Sequence, residues 1–85
     1  MKETIVLLVE ECAFDYEKSA SHRAFKSMDK ARKAFYAAIE LAESEWSVDE
    51  ENTAKDIDET SFAMQERGDY TRNHHDIFIK TIEIE

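Results

Sequence analysis

Residues 28–46 carry the strongest helical periodicity, although Ala13, Tyr16, Ala20, Ala24 and Met28 also fit a helical face, whereas two other stretches are apolar on both sides of an extended strand. Residues 4–9 send Ile5, Leu7 and Val9 one way and Val6 and Leu8 the other. Near the end of the sequence, Ile77 and Ile79 alternate with Phe78, Ile82 and Ile84. Strands of this kind belong where both faces of a sheet are covered. Four strands about 4.8 Å apart make a sheet nearly 20 Å wide. One helix, about 10–12 Å across, shields roughly half to two-thirds of one face. The chain therefore makes more apolar sheet than its own helix can cover, and the two apolar strands are expected to be central.

The helix is the firmest local reading. Ser27 suits the N-cap, and the alanines favour helix. Met28, Ala31, Phe35, Ala38, Ile39, Ala42 and Trp46 fall on one stripe at 100° per residue. Lys30, Arg32 and Lys33 sit early and Glu40, Glu43 and Glu45 late, against the macrodipole, so packing rather than local electrostatics must hold this helix.

The strands are read from alternation. Residues 4–17 form one long strand with a bulge or end at Glu10 and Glu11. A second strand spans 19–26, and the lack of glycine at 17–19 predicts a wide loop rather than a tight type I′ turn. Ser47-Val48-Asp49-Glu50 has capping-box form, so 48–55 reads as a short helix or an acidic loop. Residues 60–67 alternate Phe62 and Met64 against Ser61, Ala63 and Gln65. Gly68-Asp69 supplies a turn, and 75–85 a last strand rich in β-branched residues. The expected class is α+β with ββαββ order: one four-stranded, mostly antiparallel sheet and one long helix on one face, in a single domain over 1–85.

Charge divides function classes. The formal net charge is −9, and it is unevenly placed. Residues 18–33 hold six bases and one acid, while 43–59 hold eight acids and Lys55. So negative a chain repels nucleic-acid phosphates and anionic membranes. The longest apolar run, 5–9, is too short for a membrane span or a secretory core. A cytoplasmic location follows as the expectation. Lys26, Lys30 and Lys33, with Tyr36 nearby, are expected to form an exposed basic helix edge that pairs with acids.

Chemical motifs are sparse. One glycine leaves no phosphate-cradling loop. Cys12 lies beside Glu10 and Glu11 without the positive neighbours a thiolate nucleophile needs, and reads as a buried structural thiol. In His74-His75-Asp76 the two rings point to opposite faces of a strand and cannot share a metal there, so one is expected to pack and the other to be solvated. Asp56-Ile57-Asp58-Glu59 lacks the glycine and terminal glutamate of a calcium loop. No catalytic residue, cofactor or metal is expected, and the chain reads as a non-enzyme.

Residues 4–9, the aromatic-acidic Phe14-Asp15-Tyr16, the run from Ala24 through Ala31 into an alanine-rich helix, and Gly68-Asp69-Tyr70 with Asn73-His74-His75 together resemble the short uncharacterised ββαββ proteins of bacterial genomes and prophages. That resemblance implies a fold and no established activity.

Two functional expectations follow. The first is a small acidic interaction module that self-associates, as a dimer, through the open sheet face. Its candidate contacts are Ile5, Leu7, Ile77 and Ile79, or the complementary set where the helix takes that face. The second is a phage-type inhibitor whose acids (Glu45, Asp49, Glu50, Glu51, Asp56, Asp58 and Glu59) imitate nucleic-acid phosphates and occupy a basic groove on a host protein.

Overall fold

A computed structural model describes residues 3–46, 48–68 and 72–84. In chain order it contains β1 (Glu3–Phe14), β2 (Glu17–Phe25), α1 (Met28–Glu45), a 3-10 turn (Glu50–Asn52), β3 (Thr53–Ile57), β4 (Ser61–Glu66) and β5 (His74–Ile84). The strands form one antiparallel sheet in the order β2-β1-β5-β4-β3. The class is α+β, with five strands where the sequence suggested four. β5 is central and β1 interior, as the two-sided apolar pattern required.

The helical stripe is the buried one: Ala31, Phe35, Ala38, Ile39 and Ala42 face the sheet. α1 starts beyond the end of β2 and lies over β1 and β5. Ser27 occupies the N-cap in extended conformation but its side chain caps no backbone N–H. The small alanines let the helix approach closely, and Phe35 and Ile39 fill the space over Leu8, Ile77, Phe62 and Met64. Phe35, Met64 and Ile77 are fully buried.

Three local expectations are corrected. The extra strand is Thr53–Ile57, which pairs with β4 at the sheet's outer edge. The segment before it is no full helix. It is a 3-10 turn capped by Asp49, whose Oδ1 accepts from Asn52 N at 3.0 Å. Ser47, which opened the expected capping box, lies outside the described residues, as do residues 69–71 of the second turn. β1 has no bulge at Glu10 and Glu11, since its register with both neighbours runs unbroken.

The β1–β2 connection is a two-residue turn after all. Asp15 and Tyr16 both have positive φ, 50° and 71°, as a type I′ turn demands. Distant bonds replace the missing glycine. The Tyr16 N–H donates to the Arg72 carbonyl at 3.2 Å, and the Asp15 N–H donates to Asn73 Oδ1 at 3.3 Å. Arg72 Nε also donates to the Asp15 carboxylate at 3.3 Å. That bond first, and the Glu66 charge second, hold the guanidinium above its ordinary value.

Candidate functional site

Antiparallel pairing fixes which side chains share a face. Beneath α1 lie Leu8, Glu10, Cys12 and Phe14 of β1, with His75, Ile77 and Ile79 of β5 and Phe62 and Met64 of β4. The opposite face carries Ile5, Leu7, Val9 and Glu11 of β1, with Asp76, Phe78, Lys80 and Ile82 of β5. Among the described residues no helix or strand is stacked on that second face. The four residues chosen for an apolar contact are therefore split. Ile5 and Leu7 lie on the uncovered face, while Ile77 and Ile79 pack under the helix. The companions of Ile5 and Leu7 are Val9, Phe78 and Ile82, the alternate residues of the same two strands. The register that aligns Leu7 with Lys80 and Ile5 with Ile82 was the missing information.

The uncovered face shields itself in part. Val9, directly between His22 and Phe78, is buried by its cross-strand neighbours. Ile5, Leu7 and Phe78 remain half-buried, and Ile82 is 38% exposed. Fully burying a side chain of this size yields about 1.5–3 kcal/mol, and the minority of each side chain that is still in water leaves only the smaller part of that gain to be had. The apolar patch occupies the end of the face where β1 and β5 run on beyond β4. The other end is polar: Glu11, Asp76 and Asp56 lie in one cross-strand row with Ala20 and Ala63 between or beside them.

The two histidines do separate. His75 turns under the helix, with Nε2 3.4 Å from Glu10 Oε2 and its ring edge-on to Phe14. His74 turns to the uncovered side, 3.7 Å from Asp76 Oδ2. Both are buried, so the expected solvated ring is not found: His74 sits within the sheet between Ala13 and Gln65. Cys12 is half-buried rather than buried, with Sγ 2.9 Å from Ser19 Oγ. Among the described residues no three His, Cys, Asp or Glu side chains stand where they could hold a metal ion.

The acids of the proposed recognition surface are all exposed, but they do not form one array. Glu45 ends α1, Asp49 caps the 3-10 turn that Glu50 and Glu51 begin, and Asp58 and Glu59 lie in the β3–β4 connection. Asp56 belongs to the uncovered face. Asp49 is occupied as a cap, and Glu43 pairs with Lys55 at 3.1 Å across the helix and β3. Lys26, Lys30 and Lys33 are exposed, and Tyr36 packs against Phe35 with 52% of its surface in water.

Trp46 joins the helix to the added strand: its Nε1–H donates to Thr53 Oγ1 at 2.9 Å, and its ring meets Phe14 at 5.6 Å. Among the described residues no helix is long and apolar enough to cross a membrane. Compared with protein-family models, curated proteins and solved structures, the chain finds no match.

Proposed function

We propose that this chain is a non-enzymatic, acidic interaction module that pairs with a second copy of itself through the uncovered face of its sheet. The observation that carries this reading is the position of Ile5, Leu7, Phe78 and Ile82. They lie on the two interior strands, on the face opposite the helix, and keep apolar surface in water. Contiguous exposed apolar surface on a small domain marks an interaction site, and homo-oligomers are most often two-fold dimers. The self-shielding around Val9 limits the gain, so the association is of the weak, concentration-dependent kind.

The acids of 43–59 have a nearer explanation than a basic groove. β3 is an edge strand, and Lys55, Asp56 and the Asp58-Glu59 connection place charge along it. Charged edges discourage strand addition by other chains.

The test is Phe78→Ser, judged by multi-angle light scattering at matched concentrations. The mean mass of the wild-type chain rises with loading, and that of the variant stays at the monomer value. A variant whose mass follows the wild-type curve contradicts the reading.

A further inference from the structure

β2 is a second kind of open surface, independent of the uncovered face. It is an outer strand of nine residues, its register with β1 runs unbroken, and nearly all of it is exposed. A two-residue turn makes its flanking pair, Phe14 and Glu17, exchange both N–H···O bonds. Bonded and non-bonded pairs then alternate along the hairpin. Ser19, Ser21 and Arg23 thus turn their backbone groups toward β1, and Lys18, Ala20, His22 and Ala24 turn theirs outward. The same alternation, carried across the sheet, puts the Ile79 N–H on the β4 side, where it donates to the Thr60 carbonyl at 2.8 Å. Among the described residues no segment bonds to the outward groups of β2.

The surroundings of this edge select what it admits. In a chain of net charge −9, residues 18–33 hold six bases and one acid, and they are β2 and the first turns of α1. Glu43 pairs with Lys55 of β3, so the α1 flank that carries Glu43, and Arg32 three turns earlier, faces β3. The opposite flank, Lys30, Ala34, Ala37 and Leu41, repeats at helical spacing and borders β2. α1 runs back along β2, so Leu41, about 20 Å from the helix start, stands level with Ser19 and Ser21. Leu41 is 58% exposed there, beside the short side chains of Ser19, Ala20 and Ser21. The shelf is therefore basic where Arg23, Lys26 and Lys30 meet and apolar toward Leu41, with the acids Glu17 and Glu45 at its far end. Unpaired edges take up added strands. Edge charge of one sign repels like-charged strands and admits opposite ones.

We propose that β2 is the docking edge for an extended, acidic segment of another protein. The segment adds antiparallel as a sixth strand, the more stable and commoner pairing. Its acids lie beside Arg23 and Lys30, and an apolar side chain rests on Leu41.

The test uses the full chain and a capped, dye-labelled peptide, Glu-Thr-Glu-Thr-Leu-Thr-Val-Thr. Laid antiparallel, the peptide sets its second glutamate opposite Arg23 and its leucine opposite Ser21. Fluorescence anisotropy should show saturable binding with a Kd below ~1 mM. Amide exchange followed by NMR should slow at Ala20, His22 and Ala24 on binding and change little at Ser19 and Ser21. Ala20→Pro leaves the β1 ladder whole, because the Ala20 N–H faces outward, and should weaken binding at least ~tenfold. Arg23→Glu should weaken it about fivefold or more at low salt, and so should lysine in place of both peptide glutamates. Arg32→Glu, the same change of charge on the other flank, and Phe78→Ser on the uncovered face should stay within about twofold of wild type. No binding at ~1 mM, unchanged exchange at Ala20 and His22, or equal losses for Arg23→Glu and Arg32→Glu overturns the proposal. A Phe78→Ser loss as large as that of Arg23→Glu moves the peptide to the uncovered face and overturns it too. Exchange at these amides that slows with rising protein concentration, without peptide, gives the edge to a second copy instead.

Discussion

Leu7 and Leu8 are identical neighbours on opposite faces of β1, so truncating each to alanine separates the covered face from the uncovered one. Leu8 is 1% exposed and lies in the cluster built by Phe35, Ile39 and Ile77. Leu8→Ala removes its transfer energy and leaves a cavity beneath a helix that cannot fully collapse, a loss of about 3–4 kcal/mol. A domain of this length has roughly 4–13 kcal/mol of stability in all. With a urea dependence of about 1 kcal/mol per molar, the unfolding midpoint should fall by ~3 M. Leu7 is half-buried, and among the described residues no helix or strand lies over it. Leu7→Ala opens no enclosed cavity and should cost the monomer about 1 kcal/mol. Its second effect depends on concentration. At a protein concentration ~100 times the dimer dissociation constant, association adds about 2.7 kcal/mol to the wild type, and Leu7→Ala should forfeit most of it. Urea titrations followed by far-ultraviolet circular dichroism, at about 5 and 500 µM chain, a span that brackets weak association, read both terms. The Leu8→Ala shift should be large at both concentrations, and the Leu7→Ala shift should grow with concentration. Equal, concentration-independent losses at the two positions would refute the assignment of faces and the interface together.

Substitutions at two further positions probe what holds the β1–β2 turn. Asn73 is buried, donates Nδ2–H to Glu66 Oε2 at 2.9 Å and accepts from the Asp15 N–H at 3.3 Å. Asn73→Ala should cost about 2–3 kcal/mol in a denaturant titration, and Asn73→Asp, which faces Glu66 with a second carboxylate, should fare no better. At Tyr16, φ of 71° is unfavourable for any residue with a Cβ. Tyr16→Gly should raise thermal stability by about 0.5–1 kcal/mol, the relieved strain less the added freedom of the unfolded chain.

Legibility in the sequence tracked how local each determinant was. The helix face was readable residue by residue, since Ala31, Phe35, Ala38, Ile39 and Ala42 repeat within one segment and bury as that repeat dictates. β4 was readable too, from the alternation that buries Phe62 and Met64. β3 was not. Thr53-Ala54-Lys55-Asp56-Ile57 has weak strand propensity and lies in an acidic run, and only pairing with β4 makes it extended. The Asp15-Tyr16 turn was hidden for the same reason, being fixed by groups from residues 72 and 73. The candidate interface was half legible. Alternation sorted each strand into two sides, but joining a side of β1 to a side of β5 needs a register between residues as far apart as Glu3 and Ile84. Because side chains alternate with a period of two, a one-residue change in that register exchanges the partners of Ile5 and Leu7 between the two sets.

The central claim is that one helix leaves the second apolar face of this sheet to be covered by another copy. Sedimentation equilibrium of the unmodified chain across a wide concentration range measures this directly. The account predicts a mass that climbs from the 9.9 kDa of one chain toward twice that value. A mass that holds at one chain throughout the range would contradict it.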